Sequence, residues 1–311
     1  MSGNQDQLSL LQRVALGCFS LLAITACAGP GAWDSSFLPT VNGAVYASAV
    51  QPDGRILLGG AFTAVNGSSY RYHLARLFAD GSLDTTFLNS GGGVSSTIWC
   101  LAVQTDGRIV IGGDFTSVNA TTRTRVARLN SSGALDGSFV PTNTITGSVL
   151  ALAAQSDNKV IIGGSFSSTG FPAYNARLNA DGTVDTAFSS YPNGAVNAIG
   201  IQSDGKIVIG GAFTTVDGAS RYRIARLNAD GSLDNTFQNA LAGASATVRC
   251  LQIQTDGKIL IGGDFTTVNG TSRSYVARLT SAPGLWTPAL SPTPAPALPF
   301  MPWQCSRTAA W

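Results

Sequence analysis

The sequence predicts an all-β fold: a β-propeller of five four-stranded blades, about 50 residues per repeat, with an N-terminal strand completing the last blade. Three observations lead there. A Q-x-D motif recurs at Gln51, Gln104, Gln155, Gln202 and Gln254, at intervals of 53, 51, 47 and 52 residues, and periods of this size mark propellers or solenoids. Each interval holds several short β-type segments separated by turn dipeptides, and none shows the 3.6-residue period of a helix. Finally, one small antiparallel sheet cannot bury both of its faces. Radial packing of such sheets buries them and leaves only short edges, whereas a β-helix usually has shorter repeats.

The unit from Gln202 to Phe237 shows the elements in order. Val196–Gln202 alternates with period two and suits a first strand. Asp204-Gly205 tolerates positive φ and closes a tight hairpin. The β-branched run Lys206–Ile209 leads into Gly210-Gly211 and Phe213. After a polar loop, Arg223–Leu227 supplies a third strand, Asp230-Gly231 turns the chain, and Ser232–Phe237 supplies a short fourth. Phe62, Phe115, Phe166, Phe213 and Phe265 each follow a Gly-Gly pair. The missing side chains leave room for the ring, so all five are expected between sheets.

The motifs Q-x-D-G-K-I, G-G-x-F, A-R-L-N-x-D-G and L-D-x-x-F resemble the delta-60 repeat family, a bacterial β-propeller repeat group without an assigned activity. The resemblance covers about four-fifths of the chain. The third unit departs from it, with Asp157-Asn158 in place of Asp-Gly and a shortened loop. It implies a propeller and no catalytic residue.

Residues 1–27 read as a signal peptide: Arg13 precedes an apolar run from Val14 to Ile24, too short to span a bilayer. The run ends Ile24-Thr25-Ala26-Cys27, which resembles the bacterial lipoprotein signal, so Cys27 is the expected lipidation site. Ordinary secretion is the alternative. Residues 28–280 form the propeller, with repeats at about 41–88, 94–140, 146–189, 194–238 and 246–280. Trp33–Phe37 aligns with Leu83–Phe87 and stands as an orphan fourth strand; the fifth unit breaks off at Thr280. Pairing the two would close the ring through both ends.

Residues 281–311 lose the pattern and become rich in Pro and Trp. Back-translation with chosen synonymous codons lets Met301–Trp311 encode ALAVQPDGRM in a shifted frame, and lets Leu285-Trp286-Thr287 hide Leu-Asp-Thr in that same frame. The hidden Asp and Gln lie about 20 residues apart, as Asp84 and Gln104 do. The tail therefore reads as a frameshifted sixth repeat, expected to be disordered.

Of the chain's 311 residues 12% are charged, and the net charge is +2. That excludes an electrostatic nucleic-acid footprint. The five cysteines do not form a disulfide framework. Cys100 and Cys250 take a first-strand position that is Ala47, Ala151 and Ala198 elsewhere, which suggests a small slot. His73 is the one histidine, aligned with Val126, Ile224 and Val276, so a partly buried substitution is expected and a zinc site is not.

Asp84, Asp136, Asp185 and Asp234 recur from unit to unit, as do Arg76, Arg128, Arg177, Arg226 and Arg278. Catalysis needs one asymmetric constellation, so these are read as structural forks and no catalytic residue is assigned. The Asn228-Ala-Asp230-Gly-Ser-Leu-Asp234 spacing partly resembles a calcium loop. Phe78 and Ser132 break it in other units, which favours a turn, and no metal or cofactor is expected.

Positions that drift between units carry more information about binding. Five residues before each Gln stand Tyr46, Trp99, Leu150, Asn197 and Arg249. They start the first strands, near the central channel of a propeller, and are the candidate ligand-binding ring. The resulting expectation is an exported, non-enzymatic binding or scaffold module at the cell envelope. A glycan-binding propeller and a propeller hydrolase or lyase are the alternatives. The expected partner is an unknown protein or glycan. Nucleic acid is not expected, membrane contact is through the N-terminal lipid only, and the chain is expected to be a monomer.

Overall fold

The computed structural model describes residue 34 and residues 36–68, 71–88, 93–238 and 241–280. Residues 1–33, with Cys27 and Trp33, and the tail 281–311 lie outside the described residues. Five antiparallel three-stranded sheets follow one another. The inner, middle and outer strands of the first are Val45–Val50, Ile56–Gly60 and Leu74–Leu77. Those of the second are Ile98–Val103, Ile109–Gly113 and Val126–Leu129. The third has Val149–Ala154, Val160–Gly164 and Asn175–Leu178. The fourth has Val196–Ile201, Ile207–Gly211 and Ile224–Leu227. The fifth has Val248–Ile253, Ile259–Gly263 and Val276–Leu279. Inner strands of successive blades pack side by side, so the fold is a propeller as expected.

The hairpin between inner and middle strands needs a left-handed residue. Gly54, Gly107, Gly205 and Gly257 supply it with φ near +80°, and Asn158 supplies it in the third blade at +65°. Asn is the ordinary substitute for Gly there, so the departure in that repeat keeps the same turn. The fourth strand is shorter than expected. It survives as one bridge in each of the first four blades, Leu77 to Leu83, Leu129 to Leu135, Leu178 to Val184 and Leu227 to Leu233. The next residue, an Asp, then starts a tight D-x-x-F turn, closed by Phe87 N–H donating to Asp84 O at 3.4 Å. The polar loop also contains structure. In the second, fourth and fifth blades it forms a hairpin of two-residue strands, such as Thr215–Val216 with Ala219–Ser220.

The Gly-Gly pair has two packing roles. A Cβ on Gly59, Gly112, Gly163 or Gly210 would sit 2.7 Å from Ile98, Val149, Val196 or Val248 of the next blade. On the second Gly it would meet backbone carbonyl oxygen at about 2 Å. No side chain fits either place, so the blades approach closely. The phenylalanine two residues on, in all five blades, is fully buried, as expected.

At the turn end of the first four blades Arg and Asp form a buried fork. Nε of Arg76, Arg128, Arg177 and Arg226 donates to Asp84, Asp136, Asp185 and Asp234 at 2.8–2.9 Å. Each guanidinium also lies over the blade's D-x-x-F ring, 4.5–4.8 Å from its centroid. Burial pushes the Asp136 carboxyl up, but bonds from Ser138 and Arg128 outweigh it and hold the group at about 2.

The described part of the orphan segment repeats that turn. Asp34 Oδ1 accepts Ser36 N–H at 2.9 Å, and Phe37 packs with Leu58, Phe62, Val65, Ala75 and Leu77 of the first blade. No pairing with Val276–Leu279 occurs among the described residues, and Trp33, which would carry it, lies outside them. Phe213→Ala should cost about 3–5 kcal/mol of stability because the surrounding sheets cannot collapse into the space; chemical denaturation measures it, and a loss below about 1 kcal/mol would contradict this packing.

Candidate ligand-binding face

The inner strand of every blade changes register at one place: between Val45 and Ala47, Ile98 and Cys100, Val149 and Ala151, Val196 and Ala198, and Val248 and Cys250. Tyr46, Trp99, Leu150, Asn197 and Arg249 are therefore the extra residues of five equivalent β-bulges. A bulge leaves its extra residue unpaired and re-aims the side chain. All five candidate residues thus stand at one end of their blades, opposite the Asp-Gly turns.

Two further positions share that end. The residue after Gly-Gly is Ala61, Asp114, Ser165, Ala212 or Asp264. The residue before the outer strand is His73, Arg125, Tyr174, Arg223 or Tyr275, with φ of +65° to +69° in every blade. Its carbonyl accepts the N–H of the second Gly, as His73 O does from Gly60 at 2.9 Å. This corrects the alignment of His73 with Val126, Ile224 and Val276. Those residues occupy the following position, buried at Val126 and Ile224, and His73 matches Arg125, Tyr174, Arg223 and Tyr275. It is half-buried with Nδ1 3.1 Å from Gly60 O, and burial lowers its pKa against that bond. Sequence reasoning missed the second position because the loop before the outer strand varies in length, which shifts the register by one. The constant A-R-L motif was the signal that could have fixed it.

The second blade carries the densest cluster. Tyr46 and Trp99 stack with ring centroids 4.4 Å apart and planes at 33°. Trp99 Nε1 donates to Asp114 Oδ2 at 2.7 Å. Arg125 Nη1 donates to Asp114 O and lies 3.9 Å from its carboxylate. Chemically this is an aromatic platform beside a carboxylate and a guanidinium. In the fifth blade Arg249 Nε donates to Asp264 Oδ1 at 2.7 Å, which raises the Arg249 pKa. Asn197 Nδ2 reaches Val248 O of the next inner strand at 3.1 Å. Leu150 is half-buried. The structure brings Tyr46 and Trp99 into contact and leaves the other three ring members on separate blades.

The axial cavity, of about 410 Å³, is lined by other residues, including Val50, Val103, Ala154, Ile201 and Ile253. It reaches Gln254, Thr255 and Gly257 at the turn end, so the bulge residues do not form its wall. At that end the calcium-like spacing resolves into turns. Asp230 Oδ1 accepts Ser232 N–H and Oγ–H, while Asp234 Oδ2 accepts from both Lys206 and Arg226. Among the described residues no three His, Cys, Asp or Glu side chains gather as metal ligands. Cys100 and Cys250 are both thiols.

A repeated blade with a buried Arg–Asp fork and a divergent rim defines a β-propeller scaffold. The chain belongs to the DUF5122 beta-propeller family, a domain of unknown function, which it matches over residues 51–87, 104–139, 155–188, 202–237 and 254–282. No curated protein matches the chain. Among solved structures it is similar to the extracellular domain of BT4673 from B. thetaiotaomicron, at 16% identity and a TM-score of 0.46. That match covers 79% of this chain and 28% of the other, so this chain spans less than a third of it. It is also similar to the WD40 beta propeller domain of Doa1, at 14% identity and a TM-score of 0.50, over 79% and 67% of the two chains. A gluconolactonase of Xanthomonas campestris follows at 14% identity and a TM-score of 0.41, over 70% and 68%. The Doa1 likeness speaks to the fold alone.

The two ends of a blade should respond differently to mutation. Arg249→Gln, which removes an exposed rim pair, is expected to change stability by less than about 1 kcal/mol. Asp234→Asn, which leaves two cations without their shared carboxylate, is expected to cost about 3–5 kcal/mol. Thermal melts of both variants check this, and equal losses would contradict it.

Proposed function

We propose that this propeller is an exported, non-enzymatic binding or scaffold module of the cell envelope, built from delta-60 repeats, that holds its ligand on the bulge-side rim. The observation behind this reading is the contrast within each blade. The fork, the Gly-Gly pair and the buried Phe recur, while the three rim positions differ in charge, size and polarity from blade to blade. Residues that a fold needs repeat with it; residues that recognise a ligand need not. The non-enzymatic reading is supported by the recurrent carboxylates. Asp84, Asp136, Asp185 and Asp234 all have lowered pKa values and donors on their oxygens, the opposite of a general acid poised near neutrality.

The cluster on the first two blades favours a glycan over a protein ligand. Stacked Tyr46 and Trp99 offer flat apolar area for sugar C–H faces, and Asp114 with Arg125 can direct hydroxyl groups. Titration with oligosaccharide pools should change the Trp99 fluorescence, and Trp99→Ala should weaken binding at least about ten-fold, roughly 1.4 kcal/mol. A glycan array negative for the wild-type protein, together with an unchanged emission spectrum, would reject this ligand class.

Export and anchoring rest on the apolar run before Ile24-Thr25-Ala26-Cys27. Mass spectrometry of the mature protein should find Cys27 as the acylated first residue, and Cys27→Ser should release the protein from the membrane fraction. An unmodified N-terminus elsewhere would leave ordinary secretion as the reading.

A further inference from the structure

The four junctions between consecutive blades reuse the same contacts. The first residue of the following inner strand, Ile98, Val149, Val196 or Val248, is fully buried against the preceding Gly-Gly pair. Nη1 of Arg76, Arg128 and Arg177 donates to a carbonyl in the next blade's turn, Ser131, Ala180 or Ala229. The D-x-x-F ring lies on the next turn glycine, as Phe87 does on Gly133 and Phe188 on Gly231.

The first and fifth blades each carry half of this junction. On the fifth blade Val276 is 40% exposed, where Leu74, Val126 and Ile224 are fully buried. A Cβ on Gly262 would meet only Cys250 and Tyr275 of its own blade within 4 Å. Arg278 Nε has no hydrogen-bond partner among the described residues, and Lys258 turns to Asp256. On the first blade Val45 is 39% exposed. Asp34 is already set in its turn by Ser36, yet no cation pairs with it among the described residues.

We propose that these end faces bind one another between two copies of this chain, the first blade of one docking on the fifth blade of the next. Val45 of the second copy would then cover Gly262. Its Asp34 would take the slot between Arg278 and Lys258, and its Ala79 carbonyl would accept from Arg278. Charge complementarity and continuity with a junction built four times within the chain select this occupant. The chain's own Asp34 is carried on its own first blade by Phe37, which lies against Gly81 as Phe87 lies against Gly133. The contact is head-to-tail, so each added copy leaves one donor face and one acceptor face until the assembly closes or extends. It differs from the monomer expected from sequence.

Sedimentation of the full-length exported protein over a concentration series tests this. The wild type should gain mass with concentration. Asp34→Arg alone and Arg278→Asp alone should each weaken association at least about ten-fold, with unchanged circular dichroism. An equimolar mixture of the two variants should associate again, because both junctions then pair opposite charges. A wild type of single-chain mass throughout, variants that associate like wild type, or folded variants whose mixture stays monomeric would each overturn the proposal. Closure by the chain's own N-terminus would appear as a monomer destabilised by either substitution and restored by both together, which also overturns it.

Discussion

The guanidinium of the outer-strand arginine is the group on which the blades depend. In four blades it is buried with its aspartate, and a buried ion pair is costly unless nearly every donor and lone pair is matched. Here they are matched within and between blades. Nε and Nη2 of Arg76 reach Asp84, Nη1 reaches Gln51 and the Ser131 carbonyl of the next blade, and the π-face of Phe87 covers the plane. The second aspartate oxygen closes the D-x-x-F turn through Thr86. One side chain therefore sets the turn, holds the inner hairpin and fixes the next blade. This explains why A-R-L and L-D-x-x-F occur together: either alone would bury an unmatched charge.

Much of this was legible because repetition exposes constraint. The Phe after Gly-Gly, the Asp-Gly turns and the blade boundaries each appear five times or nearly so, and one physical explanation serves all copies. What was not legible depends on single-residue register. The fourth strand shrinks to one bridge because the Asp side chain pulls the chain into a turn after one residue. The hairpin in the polar loop is stabilised by Asn and Asp residues in left-handed conformation, such as Asn119 and Asp217, which alternation does not reveal. His73 was misplaced by one residue for the same reason. The five ring residues were found by their variation, but the bulge that singles them out is a property of pairing between strands. Their partners Asp114 and Arg125 stand beside the constant Gly-Gly and A-R-L motifs, but only the strand pairing brings them to the bulge.

The fifth blade shows how the same rules act where the L-D-x-x-F motif does not follow. Arg278 has the position of its counterparts but no D-x-x-F aspartate on its own blade, because the L-D-x-x-F motif does not follow Leu279 in the chain. Lys258, whose counterparts Lys159 and Lys206 reach Asp185 and Asp234, pairs with its own turn aspartate instead. The fifth blade is thus complete as a sheet and incomplete as an electrostatic unit.

Because each bulge residue has no cross-strand counterpart, exchanging it leaves the pairing of its neighbours intact. Duplicating or deleting a whole repeat would add or remove one set of three rim residues and leave the chemistry of the others as it was. Recognition in such a molecule can evolve by counting and shuffling as well as by point substitution. A gene of tandem repeats, prone to unequal crossing-over, would supply that variation directly.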